Sequence, residues 1–161
     1  MDSDRDRDSL ARRVMDTFPL IVRSLNRDLR SFDQRSDLTH VQILGMLVDR
    51  AHSISELAGR QQVSLPSMSK TVQALVDRDW VERMPSPDDR RVALVKLTVS
   101  GGDALREARG AMLAGVAKAL AALSSREREA LAEGLVVLGR AFGSGSDLGT
   151  RVTDRDDHSG H

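Results

Sequence analysis

The chain has 161 residues, 40% of them hydrophobic, and its 24 basic and 24 acidic side chains cancel. This length and composition suit one compact domain better than two independent cores. The sequence contains no cysteine, which excludes disulfides, thiolate nucleophiles, cysteine zinc sites and thiol-based redox sensing. Because the net charge is zero, any affinity for nucleic acid has to come from a local feature of the chain.

Both ends of the chain are rich in Asp, Arg, Ser and Gly and have few residues to bury. We therefore expect residues 1–9 and 143–161 to be disordered and residues 10–142 to form a single domain. The first nine residues are charged, and no apolar run approaches the roughly 20 residues that span a bilayer. These features predict a cytoplasmic protein without a membrane partner.

The first predicted element is an amphipathic helix between Leu10 and Phe32, where apolar residues recur at steps of three and four. Pro19 lies inside this pattern and lacks the backbone donor that a helix interior needs. We therefore expect a kink at Pro19, or a regular helix that begins there.

Two short helices follow, and the residues at their starts have the spacing of capping boxes. Thr39 with Gln42 predicts the first start, and Ser53 with Glu56 predicts the second, which ends near Gln61. Their inward apolar positions are Val41, Ile43, Leu44, Leu47, Ile54, Leu57 and Ala58. Neither helix is long enough to be stable alone.

A third helix is predicted between Ser64 and Asp77. Ser64 is a candidate N-cap, and Pro66 suits the first turn, where its missing donor costs nothing. The inward stripe consists of Met68, Val72, Leu75 and Val76. The polar side chains that this stripe leaves on surfaces able to face a partner are Ser67, Ser69, Lys70 and Gln73.

A hairpin and two helices complete the predicted order. Loosely alternating residues on either side of Pro85 and Pro87 indicate two strands and a turn. A long alanine-rich helix follows Thr98, and Ser124 with Glu127 is the capping box of a last helix. The predicted fold class is mainly α with a small β-hairpin wing. In this prediction, residues 38–98 form a winged helix-turn-helix domain, and residues 10–37 and 99–142 form helical regions on either side of it.

The third helix has the character needed to bind in the major groove of DNA. It follows a short helix and a tight turn, and it presents small polar and basic side chains. Gln73 can pair bidentately with adenine, and Lys70 can contact guanine or phosphate. The alternative is an ordinary solvated helix surface, which the helix face alone does not exclude.

The predicted wing, residues 86–92, adds a second feature. Its tip contains Asp88, Asp89, Arg90 and Arg91. An exposed arginine there can enter the narrow, negative minor groove, and Asp89 can pair with one guanidinium and orient it. The alternative is a surface turn with local ion pairs, each worth about 0–1 kcal/mol. The wing favours DNA binding over a plain surface.

These segments together resemble the core of the MarR family of bacterial regulators. The resemblance is carried, in order, by LTHVQILGML, SISELA, PSMSKTVQAL, WVER and PDDRRVALVKLT, and the flanking helices extend it over roughly residues 10–142. It implies DNA contacts from Ser67, Ser69, Lys70 and Gln73 on the third helix. It also implies that Arg91 enters the minor groove and that Arg90 contacts phosphate.

The resemblance further implies a homodimer formed by the N- and C-terminal helices, which binds a pseudo-palindromic operator in double-stranded DNA. It implies a repressor that is released by a small ligand, often a phenolic or aromatic acid. The apolar stripes of the two end regions could instead cover one another within a monomer. Two long apolar helices around a small domain more naturally bury each other across a two-fold axis.

Other classes of function find less support in the sequence. No nucleophile with base and orienting residue, no phosphate-binding glycine loop and no metal constellation is present, so neither an enzyme nor a cofactor is predicted. The histidines show no ligand spacing, which favours packed or solvated side chains over a zinc site. Trp80 is interpreted as an anchor that packs the wing against the helices. A winged-helix protein-interaction module without DNA binding remains the alternative, because the net charge is zero.

Overall fold

A computed structural model of the chain describes residues 2–33, 36–89 and 91–143. The elements in chain order are α1 (Asp2–Phe32), α2 (Leu38–Met46), β1 (His52–Ser53), α3 (Ile54–Gln61), α4 (Leu65–Val76), β2 (Val81–Pro85), β3 (Ala93–Leu97), α5 (Val99–Leu120) and α6 (Ser125–Gly143). The predicted order of helices and hairpin is present, with β1 as an addition. The chain divides into two compact units, with α1 to α5 in the first and α6 in the second, after Ala122.

Helix α1 begins earlier than the sequence predicted. The expected disorder of residues 1–9 is wrong for residues 2–9, because α1 starts at Asp2. Alternating charges support this first part, where Arg7 and Asp4 form an ion pair of 3.2 Å one turn apart. Acidic side chains here also complement the positive end of the helix dipole. The helix does not begin at Pro19 but continues through it.

The start of α2 differs from the prediction by two residues. The N-cap is Asp37, whose Oδ1 accepts the amide hydrogen of His40 at 3.1 Å, while the amide of Asp37 donates to His40 Nδ1 at 3.3 Å. The predicted box of Thr39 with Gln42 is therefore wrong. Asp37 has the extended backbone that a cap requires, with φ −139° and ψ 173°, whereas Thr39 already lies inside the helix.

The other predicted helix starts are confirmed. Ser53 Oγ accepts the amide hydrogen of Glu56, and Ser64 Oγ accepts that of Ser67, so these serines cap α3 and α4. Thr98 caps α5 in the same way, through the amide of Gly101. In the second unit, Ser124 and Glu127 exchange the hydrogen bonds of a capping box before α6, as their spacing predicts.

One hydrophobic core in the first unit joins the helices to the hairpin. It contains Leu29 of α1; Val41, Ile43, Leu44 and Leu47 of α2 and its C-cap; Leu57 and Ala58 of α3; Met68, Val72 and Leu75 of α4; Val81 and Val95 of the hairpin; and Leu105 and Ala108 of α5. Predicted inward residues of α2, α3 and α4 supply most of it. The burial of these faces sets the orientation of α4 relative to the hairpin.

The hairpin belongs to a three-stranded antiparallel sheet with the order β1-β3-β2. Strands β2 and β3 pair from Val81 with Leu97 to Pro85 with Ala93. Strand β1 pairs with the other edge of β3, through His52 with Val95 and Ser53 with Leu94. The N-cap of α3 therefore lies in the same sheet as the wing. Within the described ranges, no helix has both the length and the apolar character needed to cross a bilayer.

Candidate nucleic-acid interface

Helices α3 and α4 are joined by the three residues 62–64. Gln62 ends α3 in the left-handed region, with φ 54°, and its amide donates to the carbonyl of Gly59 at 3.2 Å. The amide of Val63 donates to the carbonyl of Ala58 at 3.1 Å, which closes the turn. Ser64 then caps α4. This tight connection is the turn of a helix-turn-helix.

Helix α4 has a buried face and an exposed face, as its apolar stripe predicts. Met68, Val72 and Leu75 are at most 1% exposed. Ser67, Lys70 and Gln73 are exposed on the outer side, and Ser69 is half-buried. The structure therefore brings three of the four predicted contact residues together on an open surface, while Ser69 lies closer to the core.

Two of these side chains already have partners in the protein. The Ser64 hydroxyl donates to Ser67 Oγ at 2.9 Å, so Ser67 takes part in the N-terminal cap. Gln73 Nε2 donates to Oδ1 of Asp77, the C-cap of α4, at 2.8 Å. This bond leaves the Gln73 carbonyl oxygen and one amide hydrogen for another partner. A bidentate contact with adenine uses these two groups.

The tip of the wing is organised by hydrogen bonds of its own backbone. The amide of Ser86 donates to the carbonyl of Val92 at 2.9 Å. The amide of Val92 donates to the carbonyl of Asp89, also at 2.9 Å. Asp89 Oδ1 accepts the amide hydrogen of Arg91 at 2.9 Å. Asp89 thus contacts the backbone of Arg91 and shapes the turn that carries this arginine.

Arg91 is exposed at this tip. In the described part of the chain its guanidinium forms no ion pair. Arg90, for which the family resemblance implies a phosphate contact, lies outside the described residues. The wing therefore presents at least one free cation beyond the end of the paired strands.

Titratable side chains surround β1, and His52 is one that no sequence pattern indicates. His52 is 3% exposed, and burial is the main reason that its pKa lies below the ordinary value of 6.5. Glu56 accepts the amide hydrogen of Ser53 at 2.7 Å and pairs with Arg50 at 3.2 Å, so its pKa is also lowered, chiefly by the Ser53 amide. The capping box pointed to Glu56, but no periodicity marks His52.

A second cluster that the sequence did not predict lies just after the C-terminal end of α4. Arg78 pairs with Asp33 and lies 5.0 Å from the centre of the Trp80 ring. Trp80 is half-buried and packs against the core, so its predicted role as an anchor of the wing is confirmed. Burial is the main cause of the lowered pKa of nearby His40, on which Asp37, Arg78 and Asp33 also act.

Comparison with known proteins gives concordant matches. The model of the MarR family matches residues 40–93. An HTH-type transcriptional regulator of Mycobacterium bovis is 34% identical over 127 residues, which cover 77% of this chain and 88% of that protein. The structure of RV1404 from Mycobacterium tuberculosis has a TM-score of 0.73 at 22% identity and covers 84% of this chain and 93% of its own. A mutant MarR of Escherichia coli complexed with operator DNA has a TM-score of 0.62 at 24% identity, with coverages of 81% and 93%.

The two short helices, the hairpin after them and these structural neighbours define a winged helix-turn-helix protein. The predicted fold class is confirmed. Together with the family match and the long alignment to the M. bovis regulator, this shows that the chain belongs to the MarR family. It is a transcriptional regulator and not an enzyme.

Proposed function

We propose that this regulator binds a pseudo-palindromic operator in double-stranded DNA as a homodimer. In each subunit α4 lies in the major groove, and Arg91 of the wing enters the adjacent minor groove. The observation that carries the proposal is the exposure of polar α4 residues and of Arg91 on elements that share one core. A common core holds helix and wing in a fixed relation, which simultaneous binding in two grooves requires.

The exposed face of α4 supplies the proposed major-groove contacts. Lys70 contacts a phosphate or guanine, and Gln73, held by Asp77, contacts adenine. Ser67 supports the register of the helix on the backbone, because its amide and hydroxyl belong to the N-terminal cap. Ser69 and Arg90 keep the roles that the family resemblance assigns to them, as further DNA contacts.

The dimer is supported by apolar side chains that each unit leaves exposed. Within α1 they include Leu10, Met15, Phe18 and Leu20, each at least 60% exposed. Within α6 they include Leu135, Val136 and Phe142, each more than half exposed. Such faces favour burial against a second copy of the chain. A two-fold dimer would place its two α4 helices about 34–36 Å apart, one helical turn of DNA.

The proposed regulatory role is that of a repressor released by a small aromatic or phenolic effector. The support for it is the family resemblance. An effector can weaken DNA binding only through its differential affinity for two shapes of the dimer. Typical couplings of about 1–3 kcal/mol predict a 5- to 150-fold loss of operator affinity. Titration of the protein–operator complex with hydroxylated benzoic acids tests this, and unchanged affinity across such a panel would contradict the effector class.

The main test is a pair of arginine variants measured on DNA that is first selected from random sequence with the wild-type chain. Arg91→Ala should weaken operator binding by about 1–3 kcal/mol, roughly 5- to 150-fold, with unchanged dimerisation and melting temperature. Arg106→Ala is the matched control, since it removes one exposed arginine from α5. Equal affinities of the two variants would refute the minor-groove role of Arg91.

Salt dependence provides an independent test of Lys70. If Lys70 neutralises one phosphate, Lys70→Ala should reduce the slope of log K against log salt by about 0.9. Lys118→Ala, an exposed lysine of α5, should leave the slope unchanged. If no DNA is selected at all, the protein-interaction alternative replaces the proposed function.

The dimer is tested by sedimentation of α6 variants. Leu135→Asp places a charge on the apolar stripe of α6 formed by Leu131, Leu135, Leu138 and Phe142, and it should shift the population toward monomer, whereas Ala130→Asp introduces the same group off this stripe. A wild-type chain that sediments as a monomer at micromolar concentration would overturn the dimer and favour end regions that cover each other within one chain.

A further inference from the structure

Arg78 lies at the junction between α4 and the wing. It follows Val76, the last residue of α4, by two positions and precedes β2 by three. Its side chain is only 18% exposed, although it carries a permanent charge. A cation in such a place needs partners close to it, and the partners of Arg78 belong to elements distant in sequence.

The first partner is Asp33, directly after α1. Arg78 Nε lies 3.5 Å from Asp33 Oδ2. This carboxylate oxygen also accepts a hydrogen bond from Ser36 Oγ at 2.9 Å, and the amide of Ser36 donates to the Asp33 carbonyl. Ser36 is 4% exposed. The acceptor is thus held in place by its own loop, so the ion pair connects the end of α1 to the end of α4.

The second partner is Trp80, at the base of the wing. The guanidinium carbon lies 5.0 Å from the centre of its ring, a distance typical of a cation–π contact. Arg78 Nη1 is buried and has no acceptor among the described residues, so the ring covers part of a group that hydrogen bonds leave unpaired. The amide of Thr98 donates to the Trp80 carbonyl at 3.1 Å, which fixes this residue beside the start of α5.

An arginine meets both demands at once, which explains the residue type. Its planar guanidinium can pair with a carboxylate along one edge and stack on a ring with its face. A lysine can keep the ion pair but offers no planar group to stack. The geometry therefore joins α1, α4 and β2 through one side chain.

We propose that Arg78 is a positioning residue for DNA binding, which sets the angle between α4 and the wing through its simultaneous contacts with Asp33 and Trp80. The proposal rests on the proposed function above, because its effect on affinity requires that helix and wing bind DNA together. Arg78 itself contacts no DNA in this proposal. Its loss lets the wing and α4 move independently, so that each contact with DNA is made less often.

The junction is tested first without DNA. Trp80 is the only tryptophan of the chain, and tyrosine is absent, so the intrinsic emission reports on this position alone. Arg78→Met and Asp33→Asn should each change the Trp80 emission and increase its quenching by acrylamide. Arg106→Met, which breaks the exposed Arg106–Asp103 pair on α5, should change neither. Unchanged Trp80 emission and quenching in both junction variants would overturn the proposal.

Operator binding supplies the second test. Arg78→Met should lose roughly 2- to 30-fold in affinity, and Arg78→Lys, which keeps the charge, should recover part of the loss. Leu105→Ala removes a core side chain of α5 that has no proposed contact with DNA, and at a temperature where each variant is folded it should bind nearly as well as wild type. If Leu105→Ala loses as much affinity as Arg78→Met, a general loss of stability explains the effect and the proposal fails.

A double-mutant cycle separates positioning from stability most directly. Arg78 is at the base of the wing and Arg91 at its tip, so their effects on affinity should be additive unless one positions the other. We expect Arg91→Ala to cost several-fold less in an Arg78→Met background than in the wild type. Additive losses would refute the positioning role. If Arg91→Ala alone has no effect, the proposed function fails, whereas the emission of Trp80 still decides the junction.

Discussion

A side chain at Gly101 would collide with the end of the hairpin. Gly101 lies in the first turn of α5, where its amide donates to the capping hydroxyl of Thr98. A Cβ built at this position would overlap the carbonyl oxygen of Trp80 and lie 2.9 Å from Leu97 Cδ1. The carbonyl belongs to backbone that is bonded to Thr98, so it cannot move aside as a flexible side chain would. The next glycine, Gly102, would place its Cβ 4.0 Å from Leu97 Cδ2, an ordinary contact.

This difference predicts opposite effects for two neighbouring substitutions. Overpacking against fixed backbone costs about 1–3 kcal/mol, and the better helix propensity of alanine returns up to about 1 kcal/mol. Gly101→Ala should therefore destabilise the protein by about 1–2 kcal/mol and lower its melting temperature by roughly 2–8 °C. Gly102→Ala gains helix propensity without a clash and should raise the melting temperature by about 1–4 °C.

Both variants are measured by circular dichroism at the same protein concentration, because melting of an oligomer depends on concentration. Urea denaturation then gives the free energy of unfolding directly. The two substitutions are expected to change the free energy of unfolding in opposite directions. Equal stability of Gly101→Ala and Gly102→Ala would refute the close approach of α5 to the Trp80 carbonyl.

Two further predictions concern pH and backbone strain. Since the pKa values of His40 and His52 are lowered in the folded protein from 6.5, the unfolded chain takes up protons first as the pH falls. The free energy of unfolding from urea titrations should be constant above about pH 7.5 and fall toward about pH 5, and a flat profile over this window would contradict the burial of neutral imidazoles. Asp79 has φ 58°, a conformation that suits Gly and is strained for a β-branched residue. Asp79→Val should lower the free energy of unfolding by about 1–2 kcal/mol, whereas Asp79→Gly should keep or slightly raise it. A Val variant as stable as the Gly variant would show that this turn relaxes freely.

The structural elements that depend on contacts between residues close in sequence were predictable. The capping boxes at Ser53 and Ser124 join residues three positions apart, so their spacing alone reports the helix start. The same rule failed at α2, because His40 takes the place of the usual Glu or Gln and lets Asp37 act as the cap. At the N-terminus, a lack of residues to bury predicts disorder, but α1 begins at Asp2. Local charge pairs are enough to continue α1 through residues that bury little.

Features formed between distant residues were not predictable in this way. Strand β1 has two residues, too few for any periodicity, and its partners on β3 lie about forty positions away. The contact between Asp33 and Arg78 likewise joins the ends of two helices that the chain separates. Such pairs depend on how the core orients whole elements, and a pattern along one segment contains no information about that orientation.

The candidate site was predictable in its outline. The helical stripe of α4 separates inward from outward positions, so Lys70 and Gln73 appear on the expected face. The intermediate burial of Ser69 and the bond between Gln73 and Asp77 depend on packing and rotamers, which a stripe does not specify. In the wing, the sequence indicated that Asp89 orients an arginine. The structure shows a contact with the backbone of Arg91.

The uneven pairing of β3 has a consequence for the reach of the wing. Its residues Leu94 and Val95 pair with strands on both sides, whereas the pair nearest the tip, Ala93 with Pro85, belongs to a two-stranded ribbon of β2 and β3 alone. Extra residues in the ribbon would leave the pairs beside the helices in place. Side chains in a strand alternate between two faces, so one added pair on each strand preserves the facing of the tip, and a single insertion reverses it. The distance between major-groove and minor-groove contacts can therefore change in steps of two residues while the helix-turn-helix stays as it is.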